Sequence, residues 1–188
     1  MKITDLWYTV GVITILFEAH STSQDNEAGL ASGWYDTPLS LKGQAQAREM
    51  GERYKDVRID AVFCSDLQRS YRTAEIAFGT SLPIIRDERL RECNYGELNR
   101  GPKTEVEGQR LIHVSTPFPS GESYLQTSHR IALFLDDLEQ YYQGKTILIV
   151  GHRATQYGLE HWLKNELLEK IVTEPWQWQP GWKYELIQ

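Results

Sequence analysis

The chain has 188 residues, 40% of them hydrophobic and 24% charged, with a formal net charge of −6 and a pI near 5.4. This is ordinary globular composition, and the length suits one domain, 1–188, with a sizeable core. An acidic balance without a Lys/Arg block disfavours a nucleic-acid partner, and no apolar run approaches the ~20 residues that cross a bilayer.

Met1 to Val10 carries Lys2, Asp5 and Trp7 but no basic-then-apolar signal pattern. Val12 to Phe17 is β-branched and apolar, the signature of a buried strand, and it must end near His20 because Ser21 to Ser32 is polar and small. Gln24 to Ser32 reads as a loop and Gly33 to Pro38 as a turn. Ser40 is placed to cap a helix from Leu41 to Lys55. Asp60 to Cys64 is a second short strand, followed after Ser65-Asp66 by a helix from Leu67 to Phe78. Leu82 to Ile85 reads as a strand and Arg89 to Leu98 as a loop. Asn99 to Pro119, rich in Gly and Pro, is either a lid or an irregular helical insertion. Glu122 to Gln143 has helical periodicity, with Ile131, Phe134, Leu135 and Leu138 on one face. Thr146 to Val150 is a fully apolar strand that ends at His152, with a helix following to about Leu168. The tail holds Trp176, Trp178 and Trp182, read as core or edge-covering aromatics, and closes in an edge strand, Lys183 to Ile187. Alternating strands and helices predict an α/β fold, a mostly parallel central sheet flanked by helices in three layers.

Two of these strands end in a histidine at a strand-to-helix junction. If they are neighbours in a parallel sheet, a spacing of ~4.8 Å brings His20 and His152 into one crevice. Arg69 stands in the first turn of the helix after Cys64, where free N–H groups already favour anions, and its guanidinium adds a bidentate phosphate donor. Cys64 and Cys93 lack metal or redox spacing, which fits reduced thiols and a cytoplasmic location. His113, His129 and His161 have no spaced partner and read as surface or core. Arg91 reads as an ion-pair partner, and Arg100 and Lys103 as solvated surface.

With these residues in view, the chain resembles the histidine phosphatase superfamily, the phosphoglycerate mutase-like fold. The resemblance runs through Asn26, Gly33-Trp34-Tyr35-Asp36, Leu39-Ser40-Leu41-Lys42-Gly43, Ser65-Asp66-Leu67-Gln68-Arg69, Leu90-Arg91-Glu92, Pro119-Ser120-Gly121-Glu122 and Gly151-His152, in order along nearly the whole length. It implies a metal-independent, cofactor-free phosphomonoesterase acting on a small phosphorylated substrate, monomeric or homodimeric. By the same resemblance His20 is the nucleophile that becomes phosphohistidine, His152 and Arg69 hold the phosphoryl oxygens, Glu92 is the acid and base, and Asn26 lines the pocket.

The departure is as informative as the match. Where the family has Arg-His-Gly, this chain has Ala19-His20-Ser21. A lost charged donor to a buried phosphate costs roughly 1.5–3 kcal/mol. Arg72, Arg153 and the hydroxyls of Ser21, Thr22 and Ser23 are candidate replacements, whereas Glu18 adds a carboxylate beside the phosphate or is aimed elsewhere by strand alternation. Two rival readings stand beside the phosphatase. One is a phosphoglycerate mutase, against which the short stretch between Glu92 and His152 argues. The other is a non-catalytic member that binds a phosphorylated ligand or a protein.

Overall fold

The computed structural model describes residues 11–187, so the segment Met1 to Val10, expected to lack a signal pattern, lies outside the described residues. In chain order the elements are β1 (Ile13–Ala19), α1 (Gln24–Glu27), β2 (Leu30–Ala31), α2 (Leu41–Tyr54), β3 (Ala61–Cys64), α3 (Gln68–Phe78), β4 (Ile84–Arg86), β5 (Gly101–Pro102), α4 (Lys103–Gln109), α5 (Tyr124–Tyr141), β6 (Thr146–Gly151), α6 (Arg153–Lys164), α7 (Leu168–Ile171) and β7 (Trp182–Leu186).

Five strands make one sheet in the order β4-β3-β6-β1-β7, parallel except for the antiparallel edge β7. Period-two alternation splits its side chains between two cores. Ile13, Ile15, Phe17, Ile147 and Ile149 face α5 and α6, meeting Ile131, Phe134, Leu138 and Leu159. Val62, Leu148 and Val150 face α2 and α3, meeting Met50, Ala74 and Phe78. Helices thus cover both faces of a mostly parallel sheet, the three layers expected. A third cluster, with Val106, Val114, Phe118, Tyr124 and Tyr157, seats the segment between β5 and α5 against α6 and α7.

Local chemistry sets the element ends. Ser40 Oγ accepts from Gly43 N at 3.1 Å and starts α2 as expected. Ser123 and Gln126 form a reciprocal capping box that starts α5. The stretch Gln24 to Ser32 is not the loop expected. Ser23 and Asn26 cap each other at 3.0 and 3.1 Å and wind one turn, α1, after which Leu30–Ala31 pairs with β5. The strand expected from Leu82 begins later, because Pro83 has no N–H and joins the sheet only through its carbonyl, which accepts from Val62 N. The helix after His152 stops at Lys164 rather than near Leu168, since Asn165 turns left-handed at φ 56° and closes it. The loop Arg89 to Leu98 contains two single 3₁₀ turns, Glu88–Leu90 and Gly96–Leu98.

Gly43, in the first turn of α2, lies in close backbone contact with the segment after His20. A Cβ there would lie 2.0 Å from the Thr22 carbonyl oxygen, so the helix can rest on the segment after His20 only without a side chain. Gly43→Ala is therefore expected to lower stability by roughly 1–3 kcal/mol, read as a Tm lower by about 2–4 °C for each kcal/mol. An unchanged Tm in calorimetry would show that this packing carries no such constraint.

Candidate active site

The parallel register pairs Ala19 with Gly151, so the next residues of the two strands, His20 and His152, stand side by side. His20 N donates to the Gly151 carbonyl at 2.9 Å, which continues the ladder one step past β1. The two imidazole centroids are 5.0 Å apart.

His20 Nδ1 lies 2.8 Å from the Ser21 carbonyl oxygen. A carbonyl only accepts, so Nδ1 carries the proton and Nε2 keeps its lone pair. Burial and the charge of Arg69 hold the His20 pKa down to about 3. His152 is 1% exposed, and its pKa is also pushed well below the ordinary value, by burial first and then by Arg69 and His20. Its Nε2 lies 2.6 Å from Ser65 Oγ, at the end of β3, whereas Nδ1 is buried without a hydrogen-bond partner among the described residues. Thr155 Oγ1 accepts from His152 N and donates to the Leu90 carbonyl, tying the second histidine to the segment that carries Glu92.

Arg69 is 2% exposed and has no carboxylate partner among the described residues. Its Nη1 donates to the Tyr35 carbonyl at 3.1 Å and its Nη2 to the Gly33 carbonyl at 2.7 Å. The Gly33 to Asp36 segment is thus a brace for this arginine as well as a turn. Asp36 Oδ1 also accepts from Gln68 N at 2.7 Å and so caps α3, whose own N-cap, Leu67, has no side-chain acceptor. Trp34 Nε1 donates to the Glu92 carbonyl at 2.7 Å.

Glu92 rests on the N-terminus of α6. Its Oε1 accepts from Cys93 N at 2.9 Å and Ala154 N at 3.1 Å, and its Oε2 from Arg153 N at 3.2 Å. Arg130 on α5 supports it from behind, donating to the Arg91 and Glu92 carbonyls at 2.8 Å and to Glu122 at 3.0 Å. The sequence offered no periodic signal for Arg130, since its partners come from distant loops. Arg91 is the structural ion pair expected, with Asp66.

A cleft of about 620 Å³ joins His20, His152 and Glu92 and is lined also by Ser21, Asn26 and Arg153. Arg69 lines a smaller adjoining recess together with His20, Glu92 and Arg153. Two of the residues expected to bind phosphate fall elsewhere. Ser23 is fully buried as the cap of α1, its hydroxyl committed to Asn26 N. Arg72 is 60% exposed and pairs with Glu75 on the outer face of α3, because α3 turns it away from Arg69. Lys103, Glu107 and Arg110, at one helical face of α4, line the cleft instead, so the insertion forms part of its wall. Trp176 and Trp178, expected in the core or over an edge, are exposed at the cleft, and only Trp182 packs inward, on Phe17. Arg100 pairs with Asp25 and lies over Tyr35. His113, His129 and His161 do not line the cleft.

A family model for the histidine phosphatase superfamily (branch 1) matches residues 15–175. The chain belongs to that superfamily. It is an enzyme of the histidine phosphatase type. The Escherichia coli O1:K1 protein named "Probable phosphoglycerate mutase GpmB" is 33% identical over 172 residues, covering 83% of this chain and 80% of its own length. Bacillus stearothermophilus YhfR superposes with a TM-score of 0.77 at 27% identity, over 89% of this chain and 88% of that one. The alpha-ribazole phosphatase of Shigella flexneri gives a TM-score of 0.75 at 26% identity, over 84% and 83%. Ala19 stands directly before His20 in the cleft, and Arg153 directly after His152.

The neutral histidines couple the site to stability. Below the ordinary histidine pKa of 6.5 the unfolded chain protonates both rings while the folded chain does not, so stability falls as pH drops from about 6.5 toward about 3. The urea midpoint is expected to decline between pH 7 and pH 4.5, and to decline less in His20→Gln. Equal pH slopes in the two proteins would contradict a neutral, recessed His20.

Proposed function

We propose that this enzyme is a metal-independent phosphomonoesterase that works through a phosphohistidine on His20. The observation that carries the reading is the Nε2 lone pair of His20, left free because Nδ1 donates to the Ser21 carbonyl, on a ring whose centroid is 5.0 Å from that of His152 and which shares a recess with Arg69. With the Ser65 hydroxyl donating to His152 Nε2, the ring proton of His152 sits on Nδ1 and is available to a phosphoryl oxygen.

In the first step His20 Nε2 attacks phosphorus and the phosphorus–oxygen ester bond breaks. The departing alkoxide takes a proton from the Glu92 carboxyl group. In the second step a water gives that proton back to Glu92 as its oxygen attacks phosphorus. The phosphorus–nitrogen bond then breaks and inorganic phosphate leaves. Splitting one displacement into two in this way is the advantage of a covalent intermediate. Arg69 and His152 stabilise the charge that develops on the phosphoryl oxygens, and Asn26 and Ser21 line the pocket. Arg153, directly after His152 and lining the cleft, is the cation assigned to the role left open by Ala19. The substrate is a small phosphorylated molecule, a reading supported by the likeness to the Shigella flexneri alpha-ribazole phosphatase. A mutase reading draws on the name of the Escherichia coli relative. It is separated from the phosphatase by release of inorganic phosphate to water.

The test is hydrolysis of an aryl phosphate in EDTA by the wild type and two variants. His20→Ala is expected to abolish phosphate release, and Arg69→Gln to lower kcat by about 10²–10³. Metal dependence, or turnover by His20→Ala equal to that of the wild type, would refute the mechanism.

A further inference from the structure

The cleft extends past Ala19 to a wall with a different electrostatic character. Glu18 lies two residues before His20 on an extended backbone, about 6.6 Å away along the strand. It is only 1% exposed, yet it lines the cleft. Its Oε1 is satisfied by Arg53 and by the Tyr54 hydroxyl, each at 3.0 Å, while Oε2 has no donor among the described residues. A buried carboxylate oxygen left unpaired is costly, and a donor from a ligand would relieve that cost.

The surroundings define the donor. Gln46, Glu49 and Arg53 project from one face of α2 into this end of the cleft. Glu49 has no ion-pair partner among the described residues, so Arg53 offsets only one of two carboxylates and the wall is net negative. Trp176 and Trp178 complete it with exposed indole rings, and Arg53 already lies 5.9 Å from the Trp178 ring centroid. Carboxylate and indole faces together suit an ammonium group. At the other end Arg69, Arg153, Lys103 and Arg110, the last two flanking Glu107, outnumber the carboxylates of Glu92 and Glu107 and, with His20 and His152, suit a phosphate. The cleft is therefore polar end to end, positive at the phosphate and negative at the tryptophans.

We propose that Glu18, with Glu49, Trp176 and Trp178, forms a subsite for a primary ammonium group, and that the substrate is a short zwitterionic aminoalkyl phosphate. The separation of Glu18 from His20 limits the spacer to a few carbons between the ester oxygen and the nitrogen. The assignment of the phosphate end rests on the phosphatase reading above.

Two probes differ only at the far end: 2-aminoethyl phosphate and propyl phosphate, in which a methyl replaces the ammonium. Their affinities are measured by calorimetry on the full chain, and their hydrolysis by phosphate release. The amine is expected to bind about tenfold more tightly or better, the scale of one charge-assisted contact with an aromatic face. Glu18→Gln is expected to remove most of that preference. Trp178→Ala, which alters an exposed residue and spares the core, is expected to reduce it. A wild type that prefers the amine but hydrolyses neither ester overturns the phosphatase mechanism and keeps the subsite. Equal affinities, absence of measurable binding of either ester, or a preference untouched in both variants would overturn the subsite.

Discussion

The parallel ladder between β1 and β6 is the constraint on which the site depends. Its register sets Ala19 against Gly151, and the chain continues on both strands by one residue before it departs into loop and helix. A slip of one residue would turn the paired histidines to opposite faces. The buried pattern on both sides of the sheet forbids that slip, because Ile13, Ile15 and Phe17 would then exchange places with Thr14, Leu16 and Glu18. The geometry of the imidazole pair is thus set by the hydrophobic core, and the local hydrogen bonds only refine it. Ser21 fixes one ring proton, and Ser65 and Thr155 fix the other ring and its backbone.

Around that pair the protein concentrates positive charge without neutralising it. Arg69 is buried on backbone carbonyls, which satisfy its donors, and Glu92 and Asp36 act on its charge only through space, without an ion pair among the described residues. Such an arrangement carries a desolvation cost in the free protein. Burial first, and then this charge, holds both histidines neutral. In the proposed mechanism the same guanidinium would meet the phosphoryl group.

Much of this was legible in the sequence because it is encoded locally. Apolar runs of strand length ending in His20 and His152, the Ser40 cap, the helical stripe of α5 and the arginine at the start of α3 each depend on a few neighbouring residues. What escaped depends on distant ones. Ser23 and Ser21 look alike in sequence, yet Ser23 is consumed by a cap while Ser21 lines the cleft. Arg72 and Arg69 lie one turn apart, and only the packing of α3 decides which enters the site. The three tryptophans of the tail form one compositional cluster, and the path of the chain between α7 and β7 separates them into one core residue and two cleft residues. Arg130 was invisible for the same reason, since its acceptors are the carbonyls of Arg91 and Glu92, almost forty residues away.

The divergent sequence around His20 has a consistent physical reading when Glu18 and Ala19 are taken together. Strand alternation after the inward Phe17 directs Glu18 toward α2, where Arg53 and Tyr54 hold one of its oxygens. Burial holds its pKa above the ordinary carboxylate value, and Arg53 and Tyr54 offset that rise only in part. With the small Ala19 between them, the phosphate end and the Glu18 corner form one continuous cleft. A long guanidinium at position 19 would stand between a buried carboxylate and a phosphate and would be attracted to both. The alanine at position 19 avoids that competition and leaves the two ends of the cleft open to each other.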